Sequence, residues 1–524
     1  MVKKLEFIIL IVAIGVFVFV STRYYDPVLA AYEKPLTTLA KDKLQDYLNS
    51  KNLGKDFNSY VLSYNERDYV DKSSSAKTVP VLIYHAIPNT ATRDTEVSKQ
   101  SFKEQMFALK KAGYQTVTLE DLYAFLKGEK ELPAKSFVLT FDDGIKSSFY
   151  NVDPILKSIG YNAVMFIIAG YSLNNEYNPY YLTKDELLKA EETGRWEIQA
   201  HAYLGHRGIP VDAQGDLQPY YANKIWRVDK GRLETNQEFE ARVYHDLKSA
   251  KEKMEKELGK EIYAFAIPFN NFGQVGSNYP EAQNVLMKLY KQVYNLVFFQ
   301  FRPVQGTDYT GNYAGKKIDN FYTVMRMEFF KDTTASDLLN SLEASQAKSL
   351  PYKESFQNLT NWISLWGDRV FNDENVFLAK SNSNSTSSMT YLDGSYLWKD
   401  YEFTLKGNWD KGEYVSLIAR YQDSNNYLGC SFRNGSVSIE KRVQNSDQKI
   451  ATRLYNIHSG AKNITLGVKV SGSGIVCSVN GQAVLSNAAV AGSISNGGIG
   501  IKTWDPQPAN SQLTINDINV KTVK

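Results

Sequence analysis

Residues 136–148 read SFVLTFDDGIKSS, and the fold is decided by this stretch. Phe137 to Phe141 form a continuous apolar run of strand length. The run delivers two adjacent carboxylates, Asp142 and Asp143, to its C-terminal end, and Gly144 permits a tight turn directly after them. Parallel α/β barrels build their active sites at that end of their strands.

The surroundings repeat the pattern. From Val79 onward, short apolar runs (VPVLIYH, YQTVTL, SFVLTF, NAVMFIIAG, WEIQAH) alternate with amphipathic segments such as SFKEQMFALKKAG and NVDPILKSIG. This alternation predicts an α/β domain with parallel strands, a distorted (β/α) barrel over residues 79–345. Glu238 to Leu258 reads as one long helix, with Phe239, Val243, Leu247, Ala250, Met254 and Leu258 on one face. After Pro351 the texture changes to short alternating strands punctuated by Gly, Asn, Asp and Ser. These predict an all-β sandwich over 352–524. Five of the seven tryptophans fall in it, and exposed aromatic faces there would make it a carbohydrate-binding module. Aromatics at strand spacing also serve as core. Cys430 and Cys477 alternate in phase with apolar neighbours and should both face the core. Whether they pair stays open.

Composition narrows the function. A net charge of +3 over 524 residues, with no basic block, gives nucleic-acid binding no support. Two cysteines are too few for a thiolate zinc site. At the N-terminus, Lys3 and Lys4 precede an apolar run from Phe7 to Val20 that is followed by Arg23, Tyr24 and Tyr25. This reads as a single-pass signal anchor over residues 1–25, with a cleaved signal as the alternative. Either way the body is expected outside the cytoplasm. Residues 26–78 read as a polar, helix-prone spacer.

Adjacent carboxylates in a cleft repel, so something positive is expected to hold Asp142 and Asp143 ionised. The chain has only five histidines, and two of them, His201 and His206, lie five positions apart in QAHAYLGHRG. That spacing does not stack both rings on one helix face, so a shared ion would have to be held from a strand end or loop. One Asp and two His would bind a divalent metal and leave positions open for water and substrate.

TFDDG with a downstream histidine pair resembles the NodB-type polysaccharide deacetylases (carbohydrate esterase family 4), over roughly Val79 to Phe330. The i, i+5 pair, VPVLIYHAI, RGIPVDAQGDLQP, FEARVYHDLKSAKEKMEKELGK and AIPFNNFGQ are most similar to the biofilm subgroup, the poly-β-1,6-N-acetyl-D-glucosamine N-deacetylases. The resemblance implies a metal site of Asp143, His201 and His206, with Asp142 as general base. It implies zinc by ligand type, with cobalt, nickel or iron as alternatives. The subgroup takes its general acid from an early Tyr-His, matched here by Tyr84-His85, so His85 is the candidate acid. Two departures stand out. The late Leu-x-His motif of many NodB-type enzymes is missing. The Arg-x-Pro-aromatic motif appears as Ala266-Ile267-Pro268-Phe269, without the arginine that would orient the base. Pro268 and Phe269 are expected at the substrate groove. The sandwich is similar to concanavalin-like or laminin-G-like jelly rolls.

The expected partners are an N-acetylated exopolysaccharide, the membrane, and a synthesis or export machinery. Competing readings keep the chemistry but change the polymer (peptidoglycan, chitin or an O-acetylated glycan), or make the barrel an inactive glycan-binding scaffold. His245 and His458 read as solvated structural histidines.

Overall fold

A computed structural model describes residues 51–64, 74–174, 179–273, 276–300, 311–314, 322–354, 356, 361–371, 377–490, 492 and 494–523. The expected membrane segment at 1–25 lies outside these residues, as does most of the 26–78 spacer. Among the described residues no helix is long and apolar enough to cross a membrane.

Among the described residues the first half contains twelve strands. Those of the main sheet are β1 (Val81–Tyr84), β2 (Gln115–Thr116), β3 (Ser136–Phe141), β4 (Ala163–Ile168) and β5 (Trp196–Ala202). Two small hairpins follow, β6 (Gly208–Pro210) with β7 (Leu217–Pro219), and β8 (Trp226–Arg227) with β9 (Arg232–Leu233). The sheet resumes with β10 (Ala264–Ala266), β11 (Leu296–Gln300) and β12 (Tyr322–Glu328). Its order is β1-β12-β11-β10-β5-β4-β3-β2, and an additional β1–β3 pairing closes seven strands into a barrel. All these pairings are parallel. Every residue of β1, β3, β4, β10 and β11 is buried, as expected of strands covered by helices outside and side chains inside.

Because the strands are parallel, their C-terminal ends share one rim. His85 follows β1, Asp142 and Asp143 follow β3, His201 lies near the end of β5, Pro268 follows β10, and Glu328 ends β12. The helix expected from Glu238 runs Asn236–Leu258, opened by a capping box of Thr235 with Glu238 and ended by left-handed Gly259. Its apolar stripe is buried as the sequence predicts, but Asp246 is buried beside it.

The C-terminal half is all-β, in two antiparallel sheets. One runs in the order 368–371, 377–380, 512–522, 401–411, 464–471, 474–479, 482–487, with 352–353 alongside 512–522. The other runs 362–366, 387–392, 498–504, 414–423, 426–433, 436–443, 446–454. Their facing sides form one core that includes Trp362, Trp398 and Trp409. These three tryptophans are therefore packing residues. Cys430 and Cys477 both face this core, and they form a disulfide that ties the two sheets together.

Candidate active site at the barrel rim

The turn after β3 separates the two aspartates. Asp143 adopts a left-handed backbone conformation, φ 72°, so the adjacent carboxylates point to different partners. Asp142 points into the barrel, where it is 1% exposed. There Arg326 of β12 grips it with both arms of its guanidinium: Nη1 donates to Oδ1 at 2.6 Å and Nη2 to Oδ2 at 2.8 Å. Arg326 is itself fully buried, lies over the rings of Phe166 and Phe298, and also reaches the Thr140 hydroxyl at 3.3 Å. Burial opposes ionisation of Asp142, but Arg326, helped by His201, holds its carboxyl below the usual carboxylate range.

Asp143 turns toward the histidines. Its Oδ1 lies 3.4 Å from Nε2 of His201 and 3.4 Å from Nε2 of His206, and has no hydrogen-bond partner although buried. Burial again opposes the charge and both imidazoles offset it, leaving this carboxyl far below its ordinary value. His201 is 2% exposed, and its Nδ1 lies 2.9 Å from the Ala266 carbonyl. A carbonyl only accepts, so Nδ1 donates to it, and with the ring neutral Nε2 would offer its lone pair to a metal. Burial disfavours charge on His201, while Asp142 and Asp143 outweigh it and raise its pKa. Burial, followed by the neighbouring His201 charge, pushes His206 down to about 4.

The awkward spacing of the histidines now has a structural reason. His201 is on the strand and His206 returns from a loop that the long helix pins. Asp246 Oδ1 accepts from the Tyr203 amide at 3.0 Å and the Tyr221 hydroxyl at 2.5 Å, and Oδ2 accepts from the Leu204 amide at 2.9 Å. Gly205 is required there, because a Cβ would meet the rings of Tyr220 and Tyr221 at 2.9 Å.

His85 is partly buried, with Nδ1 3.8 Å from Glu328 Oε1 and without a hydrogen-bond partner. β12 thus places a charged residue beside each proposed proton-transfer group: Arg326 at Asp142 and Glu328 at His85. Pro268 is buried, whereas Phe269 is 47% exposed, with its ring centroid 4.2 Å from that of His206. Asn270 holds this turn by exchanging hydrogen bonds with the backbone of Gln300. Exposed Tyr180 is close enough to Asp143 for the carboxylate, after burial, to help raise its phenol.

Asp143, His201 and His206 are the one group of potential metal ligands found among the described residues, with ligand atoms within 4.8 Å of one another. One carboxylate, whose Oδ1 lacks a hydrogen-bond partner, and two imidazoles fit a divalent transition ion, zinc by donor type.

A profile of the polysaccharide deacetylase family matches residues 129–281. The chain carries a NodB-type polysaccharide deacetylase domain. Among curated relatives, the poly-β-1,6-N-acetyl-D-glucosamine N-deacetylase of Escherichia coli K12 is 28% identical over 200 residues, 36% of this chain and 30% of that protein. The protein of the same name from Staphylococcus aureus MRSA252 is 25% identical over 188 residues, 36% of this chain and 58% of that one. Each alignment thus spans less than two thirds of the relative. A solved de-N-acetylase from Aggregatibacter actinomycetemcomitans is similar at 22% identity, covering 50% of this chain and 98% of that one with a TM-score of 0.42. The motif lacks its arginine at Ala266, and Arg326, from a different strand, is the arginine that grips Asp142. Arg326, Glu328 and Asp246 are the residues that motif reading missed.

Proposed function

We propose that this domain hydrolyses N-acetyl groups on an N-acetylhexosamine polysaccharide of the poly-β-1,6-N-acetylglucosamine kind, releasing acetate and leaving free amines. The observation that carries the reading is the pairing of a buried, ionised Asp142 with the adjacent cluster of Asp143, His201 and His206. The names of the aligned E. coli and S. aureus proteins support the choice of polymer.

Asp142, held as a carboxylate by Arg326, accepts the proton of the attacking water. His85 gives a proton to the nitrogen as the amide C–N bond breaks, and Glu328 stabilises its charged imidazolium. A divalent ion held by Asp143, His201 and His206 would polarise the acetamide carbonyl and acidify water. Phe269 and Tyr180 offer exposed ring faces beside the reacting group, where a sugar ring can pack. The arginine missing at Ala266 was the main ground for an inactive scaffold, and Arg326 answers it. The apolar run Phe7–Val20 supports anchoring to the membrane with the barrel outside, where a polymer under export would be met.

Incubating the protein and a divalent salt with poly-N-acetylglucosamine oligomers should release free amines. Asp142→Asn should lower that release by about a thousandfold without loss of fold. No release from any N-acetylated polymer, or equal release by Asp142→Asn, would sink the enzyme reading.

A further inference from the structure

The outer face of the seven-stranded sheet in the sandwich carries a groove of about 230 Å³. Its cause is visible in the strand register. Lys502, Ser416, Ser431 and Ser438 lie opposite one another across four neighbouring strands. The adjacent rows carry Tyr414 opposite Arg433, and Gly429 opposite Glu440. Small residues thus occupy the middle of a sheet face that β-branched or aromatic side chains usually fill. Tyr414 and Tyr427 line the groove beside them.

The groove is not a sugar-stacking platform. Tyr414 is 9% exposed, with one stacked neighbour in Trp504 and the Arg433 guanidinium 4.2 Å from its ring centroid. Its character is set by charge. Of the two lining carboxylates, Glu440 is bound by Arg433 at 2.7 Å and Ser431 at 2.6 Å, and Asp447 by Arg442 at 2.8 Å. Lys441, Lys449 and Lys502 line the same groove; among the described residues no ion pair is found for their ammonium groups, and Lys502 Nζ lies 5.9 Å from the centroid of the Tyr414 ring. Lys502 is the telling one. It is half-buried at the groove's inner side, where burial lowers its pKa despite the distant help of Asp447 and Glu440. Arg433 Nε is a buried donor without a partner. A buried donor left unpaired is unfavourable, so its retention beside half-buried Lys502 and the hydroxyl-bearing serines points to a ligand that completes the groove.

We infer that this groove binds a glycan bearing carboxylate or phosphate groups, with Lys502 and Arg433 taking the anion and the Glu440–Ser431 side taking sugar hydroxyls. The site uses none of the residues of the barrel rim, and its ligand is a different polymer from the neutral glycan proposed for the rim. Its use would be to tether the protein to an anionic polymer.

Calorimetric titration of the full chain tests this with galacturonate oligomers, a glycerol-phosphate polymer and neutral N-acetylglucosamine oligomers. One or both anionic probes should bind, more weakly as salt rises, and the pair separates carboxylate from phosphate recognition. Lys502→Met should weaken that binding at least about tenfold while leaving the melting temperature equal or higher, because it removes an unpaired charge. Lys449→Glu, at the exposed edge, should weaken it without touching the interior. The inference is overturned if neither anionic probe binds, if the neutral oligomer binds as well as they do, or if both variants bind like wild type. Amine release from neutral N-acetylglucosamine oligomers does not use this groove, so failure of this inference is distinct from failure of the deacetylase reading.

Discussion

Arg326 in the barrel and Arg420 in the sandwich are both among the largest fully buried side chains, and they use their donors in opposite ways. Arg420 donates to the carbonyls of Lys399, Ile494 and Gly472, and reaches Asp400 only at 3.2 Å. It sews separate loops of the sandwich together, and its charge is spread over backbone oxygens. Arg326 makes no backbone bond among those found, and commits both arms to one carboxylate at a strand end. A buried arginine that satisfies carbonyls is architecture. One that grips the inner aspartate of a pair beside two histidines favours the charged form of that aspartate.

This contrast can be broken in three ways, from the largest expected effect down. Arg326→Met should cut amine release at neutral pH by at least about a hundredfold. It leaves Asp142 buried without its counter-charge, so the carboxyl pKa rises and the acidic limb of the pH–rate profile moves to higher pH. The unpaired charge should also cost about 3–5 kcal/mol in urea melts at neutral pH. An unmoved acidic limb would show that Arg326 does not control the base. Replacing both cysteines, Cys430→Ala with Cys477→Ala, opens a cross-link spanning 47 residues. That should destabilise the sandwich by about 2–4 kcal/mol while amine release at 25 °C stays as in wild type. A matching loss of activity would mean that the barrel depends on the sandwich for its shape. Arg420→Met orphans three carbonyls and should cost about 2 kcal/mol, with the rate per folded molecule unchanged. If it lowered the rate as much as Arg326→Met, the distinction between the two arginines would fail.

How much of this was legible beforehand follows from how far apart the partners lie. The strand before Asp142, the carboxylate pair and the histidine pair are local patterns, and each could be read without knowing the closure of the barrel. Arg326 sits 184 positions from Asp142, and no local pattern measures a distance across a closed sheet. The trace it left was chemical. In YTVMRME an arginine and a glutamate two positions apart share one face of an otherwise apolar strand, and buried charges need partners. Asp246 left a similar trace, an acid beside the apolar stripe of its helix. The very short β10, three residues long, offered too little pattern to read as a strand at all. For the cysteines, alternation indicated the face but not the register between two sheets, so burial was readable and pairing was not. The tryptophans likewise left core and platform open until Trp362, Trp398 and Trp409 were seen inside.

β12 bears on the order of events in the life of the chain. It is the last barrel strand to leave the ribosome, and it brings both Arg326 and Glu328. A nascent chain that has emerged only as far as residue 281 already holds His85, Asp142, Asp143, His201 and His206, yet lacks the cation that keeps Asp142 ionised when buried. Before that strand arrives, Asp142 has every reason to remain in water. The proposed activity is thereby tied to completion of the barrel.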